Sequence, residues 1–231
     1  SKKLKSEKII VGAHLDSWDL ATGAMDNGIG AFSVIDIARV FKSLNLKTDR
    51  TIEFVLFMGE EQGLLGSKHM VEEYKESGGL ENVKLMMNLD MVNNAQGFNA
   101  YGRDDLKSFV DQISDKIKKA DANYDSRNSN RAGLHSDHQS FMMQGVPVIS
   151  PSGSFPVKAY NCYHANCDNF DLIDKKEINN NVQYTAMMLY ALANAKTLPV
   201  QKFNDDELKS FLIEQELKPS LVLGKEWRWE D

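Results

Sequence analysis

The sequence predicts an α/β fold: a three-layer sandwich in which a mixed, largely parallel sheet is flanked by helices. Two observations predict it. Apolar runs rich in β-branched and aromatic residues recur at 8–13 (KIIVGA), 51–58 (TIEFVLFM) and 83–91 (VKLMMNLDM). Between them stand segments with apolar residues at helical spacing. Strands that alternate with helices form parallel sheets covered on both faces.

The first run reads as a buried strand ending near His14. A polar loop with glycine occupies 16–27. Residues 28–44 then carry Ile29, Phe32, Val34, Ile37, Val40, Phe41 and Leu44, one face of a helix. The second strand ends at Gly59-Glu60-Glu61, and 62–74 reads as helical. The third strand carries Asp90 near its C-terminal end. A short strand is expected at 98–101, an amphipathic helix at 106–120, a short helix at 137–144 and a further strand at 146–150. Residues 152–167 form a loop of small, polar and aromatic residues. A long helix spans 176–195, and another spans 205–217, stopped before Pro219.

The 231 residues are read as one domain, with a core at about 8–197 and a charged C-terminal appendage at 198–231 that ends in Trp227-Arg228-Trp229. The appendage also suits a contact surface, and a homo-oligomer is compatible with the composition. The net charge of −6 argues against nucleic-acid binding, which needs a clustered basic face. Lys2, Lys3, Lys5 and Lys8 read as a solvated terminus. No apolar stretch approaches the ~20 residues of a membrane span. The chain starts at Ser1 and enters a strand almost at once, as a fragment or processed chain would. Cys162 and Cys167 form a disulfide or remain free thiols; their number decides nothing.

Three strand ends carry candidate ligands: His14, Glu60-Glu61 and Asp90. In open α/β sheets, sites form beyond the carboxyl ends of the strands. Asp26 and His164 add candidates from loops. Two imidazoles with several carboxylates suit zinc. A catalytic zinc usually takes three protein ligands. Five ligand residues therefore suit two ions when one carboxylate bridges, and Asp26 is the natural bridge. Glu60 and Glu61 would face opposite ways on a regular strand. In a turn that a glycine opens, both can point inward, one as ligand and one as general base. Each element alone is weak, since His-X-Asp and Glu-Glu pairs are common on solvated surfaces. The ordered set carries the argument. His69, His135 and His138 show that a histidine by itself signals nothing.

The segments Gly12-Ala13-His14-Leu15-Asp16-Ser17, Gly23-Ala24-Met25-Asp26-Asn27-Gly28, the run from Phe57 through Glu60-Glu61 to Ser67, and Asn88-Leu89-Asp90-Met91 resemble the dizinc aminopeptidase family. So do Ser136-Asp137-His138 with Phe141, Gly145-Val146-Pro147, and Tyr163-His164 followed by Asp168. That family includes bacterial secreted aminopeptidases, carboxypeptidase Q and, more distantly, glutaminyl cyclases. The resemblance runs in order through residues 8–195, and 14–32 is most similar to the carboxypeptidase Q type.

The resemblance implies an exopeptidase that binds two Zn2+ ions and hydrolyses the N-terminal bond of a peptide or dipeptide. His14, Asp26 and Asp90 would hold one ion; Asp26, Glu61 and His164 would hold the other. Glu60 would be the general base, and Tyr163 would donate to the oxyanion. Asp16 would accept a hydrogen bond from His14 and fix its tautomer. Asp137 and His138 would be structural. The Asp26–Asn27 peptide would be cis. Family habit places such enzymes in secreted or periplasmic compartments, and adds N-terminal strands or a lid ahead of Lys8 that this chain lacks. Two other readings stay open: a mono-zinc cyclase-like acyltransferase, and a catalytically silent peptidase-like binding domain. Ligand completeness ranks both lower.

Overall fold

The computed structural model describes residues 4–230, so Lys2 and Lys3 of the basic run lie outside the described residues. Five strands form the central sheet: β1 (Lys8–His14), β2 (Thr51–Phe57), β3 (Val83–Asn88), β4 (Gly97–Asn99) and β5 (Val148–Ser152). Their order is β2-β1-β3-β5-β4. All neighbours pair in parallel except β4, which runs antiparallel to β5. The predicted mixed, largely parallel sheet is present. Its helices are α1 (Ile29–Ser43), α2 (Leu65–Glu76), α3 (Asp104–Ala120), α4 (His138–Met142), α5 (Lys175–Asn194), α6 (Asp205–Glu214) and α7 (Lys218–Leu223).

Strand alternation divides the core in two. Ile9, Val11 and Ala13 point to one face of β1, with Leu85 and Met87 of β3 beside them. There they meet Val34 and Ile37 of α1, Val110 and Ile113 of α3, and Leu189 and Leu192 of α5. Ile10 and Met86 point the other way and meet Val71 of α2, Phe141 of α4, and Leu208 and Leu212 of α6. Burial on both faces is why these strands read as unbroken apolar runs.

The segment after 197 contributes to that second layer, because Leu208, Phe211, Leu212 and Leu221 are buried in it. Pro219 does not end the helical region. It stands in the first turn of α7, where its missing N–H leaves no hydrogen bond unmade. The terminal tryptophans also fold back: Trp229 Nε1 donates to Asp205, and the Arg228 guanidinium reaches Asp205 and the Met143 carbonyl. Among the described residues, no helix is long and apolar enough to cross a membrane.

Truncating Leu212, which is wholly buried, should therefore behave as a core cavity mutation. Leu212→Ala is expected to cost about 2–5 kcal/mol in urea unfolding. An unchanged midpoint would detach α6 from the core.

Candidate metal centre

The parallel register brings the strand ends level. His14 lies opposite Phe57, and Gly12 lies opposite Asn88, so β1, β2 and β3 finish side by side. The ladder continues past the strands, with Leu15 N donating to the Phe57 carbonyl and Leu89 N to the Gly12 carbonyl. His14, the Glu60-Glu61 pair and Asp90 thus emerge at one edge. Gly59, at φ 74°, turns the chain sharply after β2. Glu60 and Glu61 leave that turn with donor atoms in one group with His14, all within 4.8 Å of one another.

Asp26 sits between the two histidines. Its Oδ1 lies 3.2 Å from His14 Nε2, and its Oδ2 lies 3.1 Å from His164 Nε2. His14 Nε2 is also 3.4 Å from Asp90 Oδ1, and His164 Nε2 is 3.2 Å from Glu61 Oε2. His14, Asp26 and Asp90 form one group of donor atoms within 4.8 Å; Asp26, Glu61 and His164 form another. All five sequence-stated ligand candidates are brought together, and one carboxylate belongs to both groups.

The surroundings hold this arrangement from several directions. Asp168 is buried, and its carboxylate accepts from Met25 N (2.6 Å) and Asp26 N (2.9 Å). Ser17 Oγ donates to the Asp26 carbonyl. The Asp26–Asn27 peptide is cis. Asn27 Nδ2 donates to the Leu89 carbonyl, and its Oδ1 accepts from Gly30 N and Met91 N. That side chain ties the start of α1 to the end of β3. Gly30 leaves room for it, since a Cβ there would lie 2.3 Å from Asn27 Oδ1. Ser136 Oγ donates to Asp90 Oδ2 and accepts from Asn88 Nδ2. Cys162 and Cys167 are joined in a disulfide that brackets His164.

Asp16 does not act as the resemblance implied. His14 Nδ1 lies 3.0 Å from the Asp16 main-chain carbonyl, and the Asp16 carboxylate is farther, at 3.9 Å. The loop folds back so that the carbonyl faces the ring, while the carboxylate spans to the turn after β2. There its two oxygens accept from Glu60 N and Glu61 N, both at 3.2 Å. It orders the turn that carries the glutamates. Tyr163 borders the cleft with its ring stacked on His164, centroids 3.7 Å apart. His138 is buried, has no hydrogen-bond partner at Nδ1 among the described residues, and faces Tyr101. Its Nε2 lies 3.0 Å from the Gly133 carbonyl.

The electrostatics show what the cluster demands. Burial lowers the pKa of His14, but the Asp26 and Asp90 carboxylates override it and raise the value to about 11. Burial raises Glu60 to about 8, with Asp90, Asp137 and Glu61 adding to it against His14. Burial and then Asp26 also raise Glu61. Asp90 is the exception: burial pushes it up, but the neighbouring His14 imidazole and the hydrogen bond from Ser136 bring it below the usual carboxylate range. Burial raises the Tyr163 phenol to about 12, and the surrounding acids reinforce that. Among the described residues, Glu61 Oε1 and Asp90 Oδ1 are buried with no hydrogen-bond donor. Such acids need positive charge close by. Oxygen and imidazole donors in this mixture fit a divalent cation such as zinc.

Sequence reasoning gave no role to Trp18, Asn27, Ser136 or Asp168. Asn27, Ser136 and Asp168 stand within the segments that carry the resemblance, Asn27 directly after Asp26 and Asp168 four residues after His164, but the partners of their polar atoms are set only by folding.

Comparison with known proteins follows the same lines. The sequence pattern of peptidase family M28 matches residues 1–189. The chain is 27% identical to carboxypeptidase Q of Bos taurus over 197 residues, which covers 85% of this chain and 40% of that protein. A peptidase M28 precursor from Shewanella amazonensis superposes with a TM-score of 0.72 at 29% identity, covering 87% of this chain and 44% of the other. A zinc aminopeptidase from Bacillus subtilis superposes with a TM-score of 0.69 at 29% identity, covering 89% and 51%. The chain thus spans about two fifths of the length of the curated relative.

Two outcomes test the site's construction. Asp168→Ala leaves two buried N–H groups without their acceptor, and the expected loss is about 1–3 kcal/mol for each, read by urea unfolding. A loss under about 0.5 kcal/mol, the range of a neutral surface change, would remove Asp168 from this role. The second concerns His138, whose pKa is lowered by burial from 6.5 to about 4. Below the ordinary histidine pKa the unfolded chain takes up a proton that the folded ring refuses. Stability from this group is therefore complete above about pH 6.5 and falls by about 3 kcal/mol as pH drops toward 4. The gap in unfolding free energy between wild type and His138→Phe is expected to narrow through that window. A gap independent of pH would contradict it.

Proposed function

This chain belongs to peptidase family M28, and from that premise we propose that it is a zinc exopeptidase removing the N-terminal residue from peptides or dipeptides. One observation carries the reading: the two oxygens of Asp26 face His14 and His164 at nearly equal distances. A carboxylate so shared suits two ions rather than one. His14, Asp26 and Asp90 would hold the first, and Asp26, Glu61 and His164 the second. When bound, a zinc pair acidifies a water and polarises the scissile carbonyl.

The chain's own groups do the rest. Burial raises the Glu60 pKa, which makes its carboxylate a stronger proton acceptor. It takes the proton of the attacking water and returns it to the leaving amine. Tyr163 keeps its phenolic proton well above neutral pH and donates it as a hydrogen bond to the developing oxyanion. Asp16 holds the Glu60-Glu61 turn through its two backbone contacts. A substrate's ammonium group held close to the acidic cluster of Asp26, Glu60, Glu61 and Asp90 would explain an exopeptidase preference. The Cys162–Cys167 disulfide supports an oxidising location, secreted or periplasmic.

Glu60→Gln is expected to retain its zinc by elemental analysis while turnover of dipeptides and amino-acid amides falls about 10²–10⁴-fold. Near wild-type rates in that variant would dismiss Glu60 as the base. In the wild type, chelation is expected to abolish hydrolysis and zinc add-back to restore it.

A further inference from the structure

The two halves of the metal centre are not built alike. The His14 half is held by buried or inward groups: the Asp16 carbonyl on His14 and Ser136 on Asp90. The His164 half leans on the surface. Trp18, in the loop after β1, donates from Nε1 to Glu61 Oε2 at 2.8 Å. Its ring lies 5.1 Å from that of His164, tilted by 40°. Tyr163 stacks on the same imidazole. Trp18 is 46% exposed, so core packing does not explain its position. Both of its directed contacts fall on Glu61 and His164.

We propose that Trp18 is a positioning residue for the Asp26–Glu61–His164 half, and thereby sets how tightly that half holds its ion. This rests on the two-ion reading above. The indole N–H ties one oxygen of Glu61. That oxygen, Oε2, is also the one 3.2 Å from His164 Nε2, so the indole fixes the edge of the carboxylate that faces the second histidine. The ring meanwhile limits the rotation of His164. Ligand-orienting hydrogen bonds of this kind typically govern metal affinity by 10–100-fold. Because the His164 half leans on the surface while inward groups hold the His14 half, the two ions should leave the protein at different chelator strengths, the His164 ion first.

The test is stepwise zinc affinity of the whole chain, measured by competition with a chromophoric chelator, for wild type, Trp18→Phe and Trp18→Leu. Trp18→Phe keeps a ring and loses the donor; Trp18→Leu loses both. The weaker step is expected to loosen at least about 10-fold in Trp18→Phe, and further in Trp18→Leu, with the tighter step unchanged. Cobalt titration gives a second readout, because quenching of tryptophan emission should be smaller in Trp18→Phe than in wild type. Melting temperatures of the chelated proteins control for folding, and Trp18→Phe decides if Trp18→Leu is unstable. Wild-type affinities in both steps of Trp18→Phe would overturn the proposal. A wild type that takes up a single ion would overturn the two-ion reading instead. The Trp18 assignment would then fall if Trp18→Phe left that one affinity unchanged, and hold if it weakened it.

Discussion

Everything at this site turns on one buried carboxylate placed between two imidazoles. Asp26 contributes an oxygen to each histidine, Glu61 and Asp90 crowd around it, and Glu60 stands with His14 and Glu61. So many acids in a small, poorly solvated space repel one another and lose hydration. The raised values of His14, Glu60 and Glu61 are that cost made visible. The cluster draws in positive charge, as a proton on His14 or as divalent cations. The surrounding fold serves to stop Asp26 from relaxing away. Asp168 grips the backbone before and at Asp26, Ser17 holds its carbonyl, and Asn27 fastens the next residue to the end of β3.

The sheet supplies the coarse placement. Parallel pairing of β1 with β2 and β3 brings the ends of three strands together, and core packing on both faces makes that edge rigid. Loops then add Asp26 and His164 from opposite parts of the chain. The disulfide bounds the second of these loops, which carries His164 at a left-handed φ of 54°. Rigid strands thus present three candidate ligand positions, and locally tethered loops present two.

Much of this was legible in the sequence, for a physical reason. Strands buried on both faces must be apolar throughout, so Ile9-Ile10-Val11 and Val83 to Met87 announce themselves, and the polar residue that ends each run stands out. The Glu60-Glu61 pair was legible because a glycine precedes it. What the sequence hid depends on backbone direction or distant partners. The family resemblance makes Asp16 the partner of His14, yet the loop offers His14 a carbonyl and sends the carboxylate to the turn after β2. Asp168 supports Asp26 from 142 residues away. Pro219 predicts a stop, because proline breaks a helix interior, but a proline in the first turn also opens a helix. Trp18 carried no readable role because its hydrogen bond to Glu61 joins residues 43 apart in the chain.

Anomalous diffraction at the zinc absorption edge, from crystals of the whole chain grown with zinc, addresses the shared carboxylate most directly. The expected result is two peaks about 3.5–4 Å apart, one on each side of Asp26. A single peak, or a pair in which Asp26 touches only one ion, would contradict the account.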